Sequence, residues 1–489
     1  MMAAVISNPR KPKKTTTRKT ASTVHSGSQN PAVRRARFAV PSATMLDVSA
    51  ARTALFTWLL ARRSGGQLVI RFDDAATNEG AVLYDLHWLG LEWDEPPVHR
   101  AAREALYRTH LDRLIAAKGV IERDGVLAFP LAPGTTTVPD AVKGDVAFDH
   151  RALGEVVVAS AAGHPSHAFA SAVDDATMEI DLVVEDDDQL EAAARQTLLA
   201  QALGFAPPRF AHVGPLVDAD HHRLSKRDEA PTIDGLRRAG FQPSAIVQHL
   251  ALLGWSPPDG GESFTIDELV RSFSLERVGG APSVFDLGRL RAFNGRALRA
   301  LSRPAYHDLL AERMQRARLL EDPIPEAAHR WIETFLDAYG DEVHTLGEAI
   351  DIIAALREES VIVPALELER LRNRHVLFFL DSVSQYVDAQ PELRGLPLEH
   401  DLPAIADEFG IARQDAFPAV RMALSGTHDG PPLRLLFPLL GHDRIMMRIG
   451  AVSSHILHGR GLEPIRFGPG GVPFETIRPQ ATGEGGDGS

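Results

Sequence analysis

The chain has no cysteine, which excludes disulfide bridges and every thiolate metal site and favours a reducing compartment. Aromatic residues are scarce, at 6%, while Ala, Leu and Arg are abundant, which points to a helix-rich globular protein. No apolar run is long enough to cross a bilayer, so no membrane partner is expected and a cytoplasmic protein is. Acids are missing from the first 46 residues, which instead carry eight basic residues between Arg10 and Arg35. Removing those eight leaves 44 basic and 65 acidic residues, a balance of −21 for the rest of the chain.

What is present is long enough, at 489 residues, for two or three domains. Residues 1–36 are rich in Ser, Thr, Pro and Lys, lack hydrophobic periodicity and read as a disordered basic tail. Such a tail can be a solubilising extension, an arm that adds salt-dependent affinity for RNA phosphates, or a transit peptide. Its Pro-Lys cluster argues against the amphipathic helix the last reading needs. Because the body is acidic, an RNA-binding surface has to be a local basic patch.

Hydrophobic periodicity predicts an amphipathic helix over 51–63, a strand over 68–72 after the Gly65-Gly66 turn, and a helix over 104–117. Strands are expected at 126–131 and 154–160, a strand-rich return over 174–184, and a helix over 190–202. Residues 233–254 read as helical with a break at Phe241-Gln242-Pro243-Ser244. Beyond residue 300 the pattern is helix after helix. Strand, turn, helix, strand at the start suggests a doubly wound α/β sheet followed by an all-α C-terminal region.

Several segments then fall in a recognisable order. They are the stretch from Arg37 to Arg63, Arg71-Phe72-Asp73-Asp74, the run from His87 to Glu95, Arg223-Leu224-Ser225-Lys226-Arg227, and the run from Phe285 to Asn294. Together they resemble the glutamyl-tRNA synthetases, a class I aminoacyl-tRNA synthetase family, over about residues 37–450. The resemblance implies a Rossmann-type catalytic domain over 37–236 with a shortened acceptor-end insertion at about 96–185. It also implies a helical stem-contact region over 237–300, a helical anticodon-binding domain over 301–470 and a disordered Gly-rich tail over 471–489. ATP, Mg2+, an amino acid and tRNA are the implied ligands and a monomer the implied state. The Cys-rich zinc knob of some family members cannot exist here, so no zinc is expected.

The resemblance places the ATP site at two motifs. In the Arg223, Leu224, Ser225, Lys226, Arg227 loop, Lys226 with Ser225 would stabilise the α-phosphate in the transition state. The family's His-Ile-Gly-His-type turn stands at Asp47-Val48-Ser49-Ala50. Asp47 puts an anion where a phosphate should sit, and Ser49 and Ala50 add bulk where glycine is wanted; equally, Asp47 or Ser49 caps the helix, worth about 1 kcal/mol. The amino-acid pocket is expected at Arg37, Ala39, Asp73, His167 and Glu185. There Asp73 replaces a glutamate, His167 a tyrosine, and Glu185 the second arginine of an Arg-Gly-Glu-Asp segment. Losing one partner of a buried ion pair costs ~3–5 kcal/mol, so glutamate affinity should fall about a hundredfold or more. Adjacent Asp174 and Asp175 are expected at the sheet edge, near the acceptor-strand surface. His164 with His167, and His221 with His222, lack a third ligand at a convincing spacing, so no metal is expected. Three readings follow: a tRNA-binding relative with weakened or lost glutamate adenylation, a working glutamate–tRNA ligase with unusual motifs, or an enzyme retuned to another amino acid or acceptor.

Overall fold

The computed structural model describes residues 32–40, 45–73, 78–224, 230–359 and 361–458. Ser225, Lys226 and Arg227, most of the basic tail and the Gly-rich tail therefore lie outside the described residues.

The α/β part runs β1 (Arg35–Val40), α1 (Val48–Arg63), β2 (Gln67–Phe72), α2 (Glu79–Trp88), β3 (Val98–His99) and α3 (Glu104–Ala116). Next come β4 (Ile121–Arg123), β5 (Val126–Phe129), β6 (Thr135–Asp140), β7 (Gly144–Asp149), α4 (His150–Leu153) and β8 (Val156–Ser160). The chain returns through α5 (His167–Thr177), β9 (Leu182–Asp186), α6 (Leu190–Ala202), β10 (Arg209–Val213) and β11 (Leu216–Val217). Seven strands form one sheet in the order β3-β2-β1-β9-β10-β6-β7, with only β7 antiparallel to its neighbour. From β1 the chain winds to β2 and β3 on one side and later to β9 and β10 on the other. The order reverses between β1 and β9, and a crevice opens at their carboxyl ends. Within 96–185, β3, β6 and β7 belong to this sheet, while β4, β5 and β8 make a three-stranded sheet of their own.

Strand alternation gives the sheet two different faces. Ala36, Phe38 and Val40, with Leu68, Ile70, Leu182 and Val184, pack against α1. Val69, Val183 and Phe210 pack with Ala193 and Ala194 of α6 on the opposite face. Arg37 pairs in register with Val69 and Val183, and Arg71 with Ala39, so both arginines share that second face.

Two expectations are corrected. The 51–63 helix is not amphipathic: 13 of the 16 residues of α1 are buried, because helices further along the chain cover the side turned from the sheet. The 174–184 segment is not strand-rich: Asp174 and Asp175 sit inside α5, capped by the Ser166 hydroxyl accepting from the Phe169 amide at 3.2 Å, and only Leu182 onward is strand. The Ala-rich, β-branched-poor run after Ser166 favours helix, and its two acids find buried cations that the local pattern does not reveal.

The rest is helical: α7 (Ile233–Arg238), α8 (Pro243–Ala251), α9 (Ile266–Ser272), then β12 (Ser283–Val284), paired with β11, and α10 (Leu287–Arg299). A second core gathers α11 (Arg303–Arg316), α12 (Glu326–Tyr339), α13 (Leu346–Arg357), α14 (Ala365–Leu371), α15 (Arg374–Asp388), α16 (Leu398–Glu408), α17 (Arg413–Ser425) and α18 (Leu433–His458) around residues such as Leu310, Phe335, Phe379 and Phe437. Among the described residues no helix is long and apolar enough to cross a membrane. A glycine makes the joint between the two parts. Gly240 has φ +85°, and a Cβ there would lie 2.6 Å from the Gly347 amide nitrogen. The close approach lets Leu346 and Gly347 donate to the carbonyls of Gly240 and Ala239, each at 3.2 Å.

Candidate functional site

The crevice between β1 and β9 collects most of the sequence-predicted residues that the structure describes. Arg37, 1% exposed, is held bidentately by Asp175 of α5, with Nε 2.5 Å and Nη2 3.1 Å from the two carboxylate oxygens. Its Nη1 donates to Glu185 at 3.2 Å. Burial works against the charged guanidinium, but Asp175 and Glu185 together lift its pKa above the ordinary arginine value. Every terminal nitrogen of Arg37 therefore already faces a carboxylate of this chain. Glu185 therefore shares Arg37 with Asp175, one guanidinium between two carboxylates.

Beside it, Arg71 contacts Asp73 at 2.6 Å and Asp174 at 3.4 Å, and donates to the Ser171 hydroxyl at 2.9 Å. Asp174 is fully buried and also receives Arg103 at 2.6 Å and the Tyr107 hydroxyl at 2.8 Å. Burial and the Asp174 charge push the Tyr107 pKa up, so it stays a donor. The expected sheet-edge role of Asp174 and Asp175 is thus replaced by one beneath the pocket. His167 Nδ1 lies 3.5 Å from Asp73, and loss of hydration lowers its pKa against the pull of Asp73. Ala39 stands half-buried on the same face.

On the other face of the sheet, Asp47 is the N-cap of α1 and accepts from the Ala50 amide at 2.8 Å. Ser49 neither caps nor faces the crevice: it is 2% exposed and its hydroxyl is buried without a hydrogen-bond partner. Ala50 is half-buried and packs against the core. Arg52, one turn further on, reaches Asp186 at 3.2 Å and the Gly214 carbonyl at 2.6 Å. Asp186 is pushed up to about 6 by burial, against Arg52, with Asp188 and Asp47 adding to the rise. Of the expected nucleotide loop, Leu224 is 8% exposed and packs in the core, while Arg223 bridges Asp187 and Asp188, the latter at 3.1 Å. Lys143, from the turn after β6, donates to the Gly280 carbonyl at 2.7 Å and lies 3.5 Å from Asp187.

The layering of charge determines what the crevice can bind. Arg37, Arg52 and Arg71 are each 1% exposed, whereas Asp73, Glu185 and Asp186 are 11%, 15% and 19% exposed. The cations lie below and the carboxylates above. Such a surface favours ammonium groups and hydrogen-bond donors and opposes carboxylates and phosphates.

Sequence reasoning missed Asp175, Arg52 and Arg103 as partners. The signal was there: two arginines of equal strand parity on neighbouring strands must meet acids from whichever helix covers that face. It also missed a third group near the His221-His222 pair. Asp218, Asp220 and His222 bring ligand atoms within 4.8 Å of one another, a geometry that could hold a cation.

A doubly wound sheet with its crevice at the switch point, joined to an all-helical region, defines the architecture of a class I synthetase. Comparison with known proteins agrees. The family of tRNA synthetases class I (E and Q), catalytic domain, matches residues 33–120 and 129–292, and an anticodon binding domain matches 307–452. A glutamate–tRNA ligase of Moorella thermoacetica is 30% identical over 485 residues, covering 86% of this chain and 98% of that protein. Glutamate–tRNA ligase 1 of Rubrobacter xylanophilus is 34% identical over 432 residues, covering 85% and 96%. The crystal structure of a glutamate tRNA ligase from Elizabethkingia meningosepticum in complex with its amino acid superposes with a TM-score of 0.72 at 19% identity, covering 86% of this chain and 99% of that one. The chain belongs to the class I tRNA synthetase family for Glu and Gln; within it, it is glutamate–tRNA ligase-like and carries an anticodon-binding domain.

Proposed function

We propose that the chain is a tRNA-binding relative of the glutamate–tRNA ligases in which ATP-dependent glutamate adenylation is weakened or lost. One observation carries the reading: Arg37, the cation that the resemblance assigns to the substrate's side-chain carboxylate, is saturated by Asp175 and Glu185. A glutamate entering the pocket would have to displace Glu185 and then sit beside it. Asp47 adds a second opposition, placing a carboxylate at the start of α1 where ATP phosphates would approach a helix N-terminus. ATP and Mg2+ remain the family's expected ligands, and Ser225 and Lys226 the residues expected to meet the α-phosphate. A second reading, retuning to an amine-bearing amino acid, is favoured by the outward-facing carboxylates of Asp73, Glu185 and Asp186.

ATP–pyrophosphate exchange with each amino acid, with and without tRNA, separates these readings. The proposal expects no glutamate-dependent exchange at ordinary rates. Glutamate-dependent exchange at such rates would restore the working ligase, and exchange with a cationic amino acid would establish the retuned enzyme.

A further inference from the structure

The charged cluster beneath the crevice does not balance. Three guanidiniums, those of Arg37, Arg71 and Arg103, are linked to four carboxylates, those of Asp73, Asp174, Asp175 and Glu185. The other members of the network, the Ser171 and Tyr107 hydroxyls, are neutral. The formal charge of the cluster is therefore one negative, and burial makes an uncompensated charge costly. One cation is missing. An amino acid's own α-ammonium and α-carboxylate cancel, so only a cationic side chain on such a ligand makes up the deficit.

Three acceptors mark the place of that cation, and they come from three elements: Asp73 follows β2, His167 opens α5 and Glu185 lies on β9. Asp73 Oδ1 is buried 2.6 Å from an Arg71 terminal nitrogen, yet it makes no aligned hydrogen bond to any described residue. Glu185 meets Arg37 through Oε1. Loss of hydration lowers the His167 pKa, against the pull of Asp73 and Glu185 and with the push of Arg71 and Arg37, so the imidazole is neutral near pH 7. With Nδ1 3.5 Å from Asp73, the proton belongs on that nitrogen, which leaves Nε2 an acceptor. Geometry then selects the kind of cation. A primary ammonium presents three donors around one point, whereas a guanidinium is a rigid planar fork, and the outward carboxylates of Asp73 and Glu185 already lie against the forks of Arg71 and Arg37.

We propose that the crevice binds an amino acid whose side chain ends in a primary ammonium, received by Asp73, Glu185 and His167. The proposal rests on the retuned-pocket reading above and adds the charge and shape of the ligand's cation. Protonated His167 would supply the missing charge itself and so expel the ligand. The test is calorimetry of the full chain at about pH 7.5 with L-lysine, L-norleucine, L-arginine and L-glutamate. L-Lysine should bind at least about tenfold more tightly than L-norleucine, which has no side-chain ammonium, and than L-arginine. Glu185→Gln should cost lysine about tenfold and leave norleucine unchanged. Lowering the pH from about 7.5 to about 5.5 should weaken lysine binding several-fold, and His167→Gln, neutral throughout, should flatten that dependence. Thermal melts establish that each variant is folded, and the contrast between lysine and norleucine needs no variant. Lysine no tighter than norleucine, with glutamate also unbound, overturns the ammonium site and leaves the weakened-glutamate reading standing. Glutamate binding more tightly than lysine overturns both.

Discussion

Two carboxylates meet the same buried guanidinium and should respond to mutation in opposite ways. Asp175 is 1% exposed and grips Arg37 through two hydrogen bonds, whereas Glu185 is 15% exposed and makes one contact at 3.2 Å. Asp175→Asn leaves a buried cation without its main partner, for which ~3–5 kcal/mol is the usual loss. Glu185→Gln keeps a hydrogen-bonding oxygen near Nη1 and leaves the Asp175 pair intact, so its cost should be about 1 kcal/mol or less. Urea unfolding followed by tryptophan fluorescence reads this difference in the right place, since Trp58, Trp88, Trp93 and Trp255 lie in the first 300 residues and only Trp331 lies beyond. The functional consequence runs the other way. On the proposed function, Glu185→Gln removes the negative charge at the expected place of a substrate carboxylate, and glutamate binding by calorimetry should tighten by about tenfold or more, ~1.4 kcal/mol. If Glu185→Gln destabilises the chain as much as Asp175→Asn, or leaves glutamate binding unchanged, then Glu185 supports the scaffold and the idea that it occupies the pocket is refuted.

Asp47 allows its two roles to be separated. Asp47→Asn keeps the cap acceptor and should change stability by less than about 0.5 kcal/mol, while Asp47→Ala should cost about 1 kcal/mol. Only the loss of charge concerns the nucleotide, so both variants should bind ATP more tightly in equilibrium dialysis; unchanged affinity would absolve Asp47. His249 gives a pH test. It is 1% exposed, neither ring nitrogen has a partner, and burial and Arg289, against Asp286, push its pKa down to about 4 between Phe285 and Phe293. The unfolded chain then takes up this proton near pH 6.5 and the folded chain only near 4. The stability it contributes is fully present above 6.5 and is lost as pH falls towards 4, to the extent of about 3 kcal/mol. His249→Leu should flatten that limb of the urea-midpoint profile, and an unchanged limb would show that the ring finds water on protonation. Gly240→Ala should lower the urea midpoint, because φ +85° costs an L-residue ~1–2 kcal/mol before the clash with Gly347 is counted; an unchanged midpoint would mean that the joint yields freely.

What could be read from sequence was what depends on near neighbours. The strand at 68–72, the helix over 190–202 and the break at Phe241-Gln242-Pro243-Ser244 follow from local periodicity and turn chemistry, and the structure places β2, α6 and the gap between α7 and α8 there. The helix α5 was read as a strand-rich return with its acids at the sheet edge, whereas strands β1 and β2, more than a hundred residues away, supply the cations that hold those acids beneath the pocket. The same distance hid the partner of Arg52, which is Asp186 from β9. Charge reversal at 185 was visible; its contact with Arg37 was not, since that depends on strand register.

Register also explains how the pocket could change without damage to the fold. Arg37, Arg71 and Glu185 share one face of the sheet, and α5 lies over that face with Asp174 and Asp175. A carboxylate introduced at 185 therefore arrives beside a buried cation, so the residue that opposes a carboxylate ligand also satisfies the arginine that such a ligand would have satisfied. On the opposite face Asp186 meets Arg52 in the same way, although burial, with smaller contributions from Asp188 and Asp47, pushes it up to about 6. Simple erosion of a binding pocket would leave orphaned charges and a less stable domain. Here each outward carboxylate has an inward cation beneath it: Asp73, Glu185 and Asp186 are held by Arg71, Arg37 and Arg52.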